Sequence, residues 1–229
     1  MRLASLFSGG KDSTFAIYLA QKQGHETVCL LSVFPKSEES HLLHHPNIRW
    51  TELQSQSMNI PQLTIHPSSD DPDKELIAIE NLLHTAKDQF NIEGLVHGGI
   101  KSKFQKEKFE TLCSKFNLTP VAPLWDTEPL QYMNDLLDSN FDFIMTTVSS
   151  DGLDDSWLGK LISRSDIDGL KDLSEKHGFN LNFEGGEAET FVIDCPLFSN
   201  SVKIKKYQKI WDGYRGRFEI VDAELDHNA

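Results

Sequence analysis

Apolar positions in the first half of the chain alternate between short continuous runs and spaced stripes. Leu3, Ala4, Leu6 and Phe7 form the first run and predict a buried strand; Phe15, Ala16, Leu19 and Ala20 then recur at helical spacing. Gly24 closes that helix, and residues 28–33 are apolar enough for a second strand covered on both faces. The pattern next predicts a helix over about 48–58 and a third strand over 61–65. Leu76, Ile79, Leu83, Ala86 and Phe90 fall at alternating threes and fours with charges between them, the stripe of a core-facing helix. Residues 94–100 predict a fourth strand running into a glycine pair. Ser102 and Gln105 have capping-box spacing at the head of a helix to about 116, and residues 119–123 predict a fifth strand. Strands alternating with helices in this way predict a parallel sheet with helices on its faces.

From Asp126 the rhythm changes. A helix over about 127–139 leads to a strand over 141–148, then to an irregular run at 151–159 and a helix over about 166–177 ended by Gly178. Phe191, Val192 and Ile193 follow a glycine- and glutamate-rich segment. The alternations Val202/Ile204 and Phe218/Ile220 predict strands around a turn at Asp212 and Gly213. The expected architecture is α/β over 1–125 with a smaller α+β domain over 126–229. No internal repeat or low-complexity tract interrupts it.

Charge narrows the function. The 229 residues carry 22 Lys+Arg against 35 Asp+Glu, a net charge of -13, which counts against a nucleic-acid-binding surface. It suits a protein that handles a nucleotide, a small molecule or another protein. No apolar run reaches the length of a membrane span, and the chain enters its first strand without the pattern of a signal peptide, so a cytoplasmic protein is expected. Cys29, Cys113 and Cys195 are isolated in sequence, with no C-x-x-C pair for zinc, a cluster or a persulfide relay, and read as small core residues in a reducing compartment.

Candidate chemistry begins directly after the first strand, at Ser8-Gly9-Gly10-Lys11-Asp12-Ser13. Two glycines let the backbone approach a bulky anion, and the helix that follows points unpaired N–H groups and the positive end of its dipole at the same place. Lys11 adds a mobile cation, and Ser8 and Ser13 add hydroxyl donors. The spacing fits neither a Walker A loop nor the G-x-G-x-x-G of a dinucleotide fold. It is similar to the PP-loop of ATP pyrophosphatases, which implies cleavage of ATP between its α and β phosphates. Ligands of open parallel sheets sit beyond the carboxyl ends of the strands. Gly98 and Gly99 after strand four, and the segment 35–47 with His41, His44 and His45 after strand two, belong to that edge. The histidine segment reads as a loop over a site, not as a metal centre. Lys101, Lys103, Lys106 and Lys108 crowd the first turns of the following helix, where they either face solvent or meet an anion.

A second chemical run is Glu184-Gly185-Gly186-Glu187-Ala188-Glu189-Thr190. Three carboxylates this close repel one another unless solvent or a cation relieves them. A solvent-exposed turn, Mg²⁺ carried with ATP, and a cationic substrate each satisfy that condition. For the last, Trp157, Phe183 and Phe191 are the rings available to face a cation.

Five motifs occur in one order: the PP-loop, residues 98–105, Pro123-Leu124-Trp125, residues 152–159 and residues 184–191. Together they resemble the diphthine–ammonia ligase family in its short, archaeal-type form, over roughly residues 1–200. That resemblance implies strand order 3-2-1-4-5 in a Rossmann-like (HUP-type) sheet and an ATP-dependent amidation of diphthine on elongation factor 2. Ammonium would supply the nitrogen, ATP and Mg²⁺ would be the cofactors, and no nucleic acid or membrane would be involved; a homodimer is left open. Carried onto this chain, the resemblance implies ATP binding by Ser8, Gly9, Gly10, Lys11, Asp12, Ser13, Gly98 and Gly99, with Asp12 as the metal ligand. It implies substrate binding by Ser102, Gln105, Trp157, Glu184, Gly185, Gly186, Glu187, Glu189 and Thr190, and catalysis by Lys11, Asp12 and Glu187. The chain departs from the family in having Phe104 where Tyr is usual and Gly99 where Ala or Asp is usual. Eukaryotic relatives are expected to be longer, with extra C-terminal domains. Two readings from other classes share the glycine loop: an adenylating enzyme acting on tRNA, and a non-catalytic ATP sensor.

Overall fold

The computed structural model describes residues 1–34, 47–67 and 72–227. Its compact units are Met1–Ser8 with Asp12–Trp125, and Gly9–Lys11 with Asp126–Ala229. The histidines at 41, 44 and 45 lie outside the described residues.

In the first unit the elements run β1 (Arg2–Leu6), α1 (Lys11–Lys22), β2 (Glu26–Val33), a 3-10 turn at Ile48–Trp50 that leads into α2 (Thr51–Met58), β3 (Gln62–Ile65), α3 (Pro72–Phe90), β4 (Gly94–Val96), α4 (Lys103–Phe116) and β5 (Thr119–Val121). All strand pairs are parallel, in the order β3-β2-β1-β4-β5, as the family resemblance implied. The apolar stripe of α3 (Ala78, Ile79, Leu82, Leu83 and Ala86) packs in one core with Ala4, Cys29, Leu31 and Leu95 of the strands and Leu112 and Cys113 of α4. Helices α2 and α4 stop at Asn59 and Asn117, both in the left-handed region that an asparagine side chain tolerates.

Strand β4 ends at the glycine pair, as the sequence predicts. His97 makes the last sheet bond, donating its N–H to Val121 O at 3.1 Å. Gly98 then leaves the ladder and comes against the backbone of Asp12 and Ser13. Strand β5, the edge strand, ends at Val121, two residues before the position read from sequence, where its partner β4 stops.

In the second unit α5 (Pro129–Asp138) is followed by β6 (Asp142–Val148), a 3-10 turn at Asp155–Trp157, α6 (Arg164–His177), β7 (Ala188–Asp194), β8 (Val202–Trp211) and β9 (Gly216–Leu225). The sheet is antiparallel, in the order β7-β6-β9-β8. Helix α6 starts two residues before the position read from sequence. Asp166 there accepts from Ser163 N at 2.9 Å and Ser163 Oγ at 2.6 Å, closing its first turn. Gly9–Lys11 belongs to this unit through two bonds to β7, from Val192 N to Gly9 O (3.0 Å) and from Lys11 N to Thr190 Oγ1 (3.1 Å). No helix among the described residues is long and apolar enough to cross a membrane.

Candidate active site

The loop after β1 is shaped by small residues. Gly9 has φ +78°, a conformation costly for any residue with a Cβ. Ser13 Oγ accepts from Ser8 N at 3.3 Å and lies 3.1 Å from Ser8 Oγ, so the two hydroxyls close the loop over the first turn of α1. Asp12, partly buried, sits in that turn, where the helix dipole favours a negative charge. A Cβ on Gly98 would stand 2.6–2.7 Å from Asp12 C, Asp12 O and Ser13 N, so only glycine allows the strand-four turn this close to the helix start.

His97 holds the neighbouring residue. Its Nδ1 accepts from Gly99 N at 3.2 Å, and its ring lies 4.8 Å from that of Phe109. Burial pushes its pKa down to about 4, which keeps Nδ1 unprotonated as an acceptor. Ser102 caps α4 by accepting from Gln105 N at 3.4 Å, the backbone half of the expected box. Lysines 106 and 108 lean on rings: Lys106 Nζ is 4.4 Å from the Trp125 ring centre and Lys108 Nζ 5.3 Å from that of Phe104.

Lys11 differs most from its sequence reading. It is 2% exposed, with Nζ 5.5 Å from the ring centre of Phe183 and 5.7 Å from that of Tyr132. The expected mobile loop cation is a buried side chain between two aromatic rings. Tyr132 of α5 is itself fully buried and carried no functional signal in the sequence.

The acidic run forms a closed turn. Glu187 Oε1 accepts from Asn180 N (2.9 Å) and Asn180 Nδ2 (2.7 Å), and Phe183 N donates to Asn180 O (2.8 Å). Ser149 secures the other side, its N donating to Glu187 O (2.8 Å) and its Oγ to Gly186 O (2.7 Å). A Cβ on Gly185 would lie 2.6 Å from Glu187 Oε1, so glycine leaves room for the clasp. Glu187 Oε2 is buried and has no hydrogen-bond partner among the described residues. Glu189 N donates to Thr147 Oγ1 at 2.9 Å, and Thr190 Oγ1 is the acceptor for Lys11 N.

Of the three rings read as faces for a cationic substrate, Phe183 and Phe191 are buried, at 4% and 2% exposure. Trp157 is partly exposed and already carries Lys160, whose Nζ lies 4.6 Å from its ring centre and donates to Asp166 at 2.5 Å. Burial would raise the Asp166 carboxyl, but hydrogen bonds from Lys160 and Ser163 hold it below its ordinary value. Among the described residues, no group of three or more His, Cys, Asp or Glu side chains is placed to hold a metal ion. Cys29, Cys113 and Cys195 are buried, and burial pushes their thiols up to about 12, 11 and 12, far from the thiolate a nucleophile needs. His97 in the first unit, and Asn180, Ser149, Thr147 and Tyr132 in the second, carry no functional signal in the sequence.

Comparison with known proteins bears on both units. Residues 1–120 match the family described as Diphthamide synthase N-terminal domain, and residues 128–225 match Diphthamide synthase C-terminal domain. The chain belongs to the diphthine–ammonia ligase family. Its similarity to the diphthine–ammonia ligase of Danio rerio is 31% identity over 221 residues, covering 89% of this chain and 86% of that one. The enzyme of that name from Rattus norvegicus is 32% identical over 222 residues, with 89% and 83% covered. The Saccharomyces cerevisiae member is 28% identical over 268 residues, and the match takes in all of this chain but 36% of the yeast protein. Much greater length is therefore a feature of the yeast relative and not of the vertebrate members of the diphthine–ammonia ligase family, which corrects the expectation for eukaryotes in general.

Proposed function

We propose that this chain performs the ATP-dependent amidation of diphthine on elongation factor 2, with ammonium as nitrogen source. The observation that carries this reading is the glycine cradle at the start of α1, in a chain whose two units match the two diphthamide synthase domains. A domain over 1–125 supplies ATP binding: Gly9 and Gly10 present backbone and Ser8 and Ser13 present hydroxyls to the phosphates, while Gly98 and Gly99 let the backbone come close. That loop has room for phosphate because it lacks Cβ atoms where the backbone turns. Asp12 is the residue that would hold Mg²⁺ brought with the nucleotide, and the ion would supply positive charge at the phosphate oxygens.

In the proposed reaction a diphthine carboxylate oxygen attacks the α phosphorus, the α–β bond breaks, and pyrophosphate leaves while Lys11 offsets its charge. The nitrogen of ammonia then attacks the carbonyl carbon of the acyl adenylate. AMP leaves with the bonding pair, and the surplus proton goes to solvent. A domain over 126–229 receives the substrate. Glu184 and Glu189 provide negative charge toward the trimethylammonium group, with Trp157, Ser102, Gln105, Gly185, Gly186 and Thr190 as the further substrate-binding residues. Glu187 contributes through the turn that its carboxylate closes. The reaction belongs in the cytoplasm, where elongation factor 2 works. Chromatography of turnover products is the test: AMP and pyrophosphate in equal amounts are expected, and ADP with phosphate would remove the adenylation step.

A further inference from the structure

We infer that Phe183 is a positioning residue for Lys11, holding the lysine ammonium over its ring face, with Tyr132 as a second wall. This rests on the proposed role of Lys11 at the departing pyrophosphate. Three observations carry it. Phe183 has φ +63°, a left-handed conformation that a bulky residue adopts only when its surroundings impose it. Its ring is buried, with Lys11 Nζ 5.5 Å from the centre, inside the range of a cation–π contact, and Tyr132 at 5.7 Å from the same nitrogen. Its backbone is fixed by the turn itself, since Phe183 N donates to Asn180 O at 2.8 Å and Gly186 N donates to Phe183 O at 3.2 Å.

The acidic motif gains a second task from this arrangement. Glu187 Oε1 clasps Asn180, Asn180 O holds Phe183 N, and the Phe183 ring faces Lys11, whose own N–H is tied to Thr190. A glycine at 183 would relieve the backbone but leave the ammonium without that wall. A ring face attracts a cation through its π electrons, so it restrains the position of the Lys11 ammonium. Neither the strain nor the burial of a lysine is needed for a solvated acidic turn.

The test replaces Phe183 with mono-, di- and trifluorophenylalanine in the full chain. Fluorine drains the ring face while nearly preserving shape, so packing alone would not follow the series. Pyrophosphate release with saturating ATP, diphthine-bearing elongation factor 2 and ammonium is expected to fall stepwise with fluorine number, by on the order of tenfold at the last step, with KM for ATP and the melting temperature little changed. In the Lys11→Ala background the series should be flat. A flat series in the natural background, or equal slopes in both, would overturn the positioning role. Products of ADP and phosphate from the unsubstituted chain would instead overturn the adenylation reading beneath it, and this role with it.

Discussion

The two sheets place their chemistry in different parts of the polypeptide. In the parallel sheet β1 is buried through its middle and β2 over most of its length, and the candidate residues lie where strands end in glycines. What matters there is backbone: Gly98 against Asp12 and Ser13, and the Gly99 N–H on His97. In the antiparallel sheet β8 exposes most of its residues, and the candidate turn sits ahead of β7, tied to the start of that strand and to Ser149. What matters there is side-chain polarity, because the turn is closed by a carboxylate. The first region should be sensitive to an added methyl group or to protonation of one buried histidine, the second to loss of one negative charge.

Acid should separate the regions most strongly. His97 has a folded pKa near 4 against an ordinary 6.5, so the unfolded chain takes up its proton first as pH falls. Its contribution is complete above pH 6.5 and is lost between 6.5 and 4, by about 3 kcal/mol. Asp142 in β6 has the opposite sign: burial first, then the charge of Asp194 across the strand pair, hold its carboxyl above the ordinary value, and acid relieves it. Hydrogen exchange at pH 5 should therefore quicken for amides of β1 and β4 before those of β6 and β7. Simultaneous loss of protection in both sheets would contradict the distinction.

Lys11→Ala comes next. Pyrophosphate release should fall by a hundredfold or more, on the order of 2.7 kcal/mol. Since Lys11 is buried between rings and not exposed, a lower melting temperature should accompany the loss, and calorimetry on the same sample separates the two effects. Near-normal turnover would remove the lysine from the mechanism.

Gly98→Ala should cost about 1–3 kcal/mol of stability, because its Cβ meets backbone atoms that cannot swing aside. ATP titration should show weakened binding, while protection of β6 and β7 stays the same. Undiminished ATP affinity would mean that the cradle is not a phosphate site. Glu187→Gln should have the smallest effect, about 1 kcal/mol, as a charged clasp on Asn180 becomes a neutral one. ATP affinity should be retained and the Michaelis constant for the modified elongation factor raised; lost ATP affinity would move the turn to the nucleotide.

Local periodicity made much of the fold readable. The α3 stripe, the Ser102 cap and the turn ahead of β9 all depend on residues close in sequence, and the structure has them. Strand β4 ends at its glycine pair, but an apolar run does not reveal that Gly98 is drawn onto Asp12. The burial of Lys11 depends on Tyr132 and Phe183, far along the chain, and the Glu187 clasp depends on a turn that no spacing rule announces. Motif resemblance located both chemical runs, but it could not say that one carboxylate of the second run faces its own turn.

The most direct measurement follows nitrogen. Diphthine-bearing elongation factor 2 is incubated with the chain, ATP, Mg²⁺ and isotopically labelled ammonium; the modified peptide is weighed and the nucleotides are separated. Label in the new amide, with one AMP formed per amide, is the predicted result. An unlabelled peptide, or amide formed without AMP, would contradict the proposed ligase reaction.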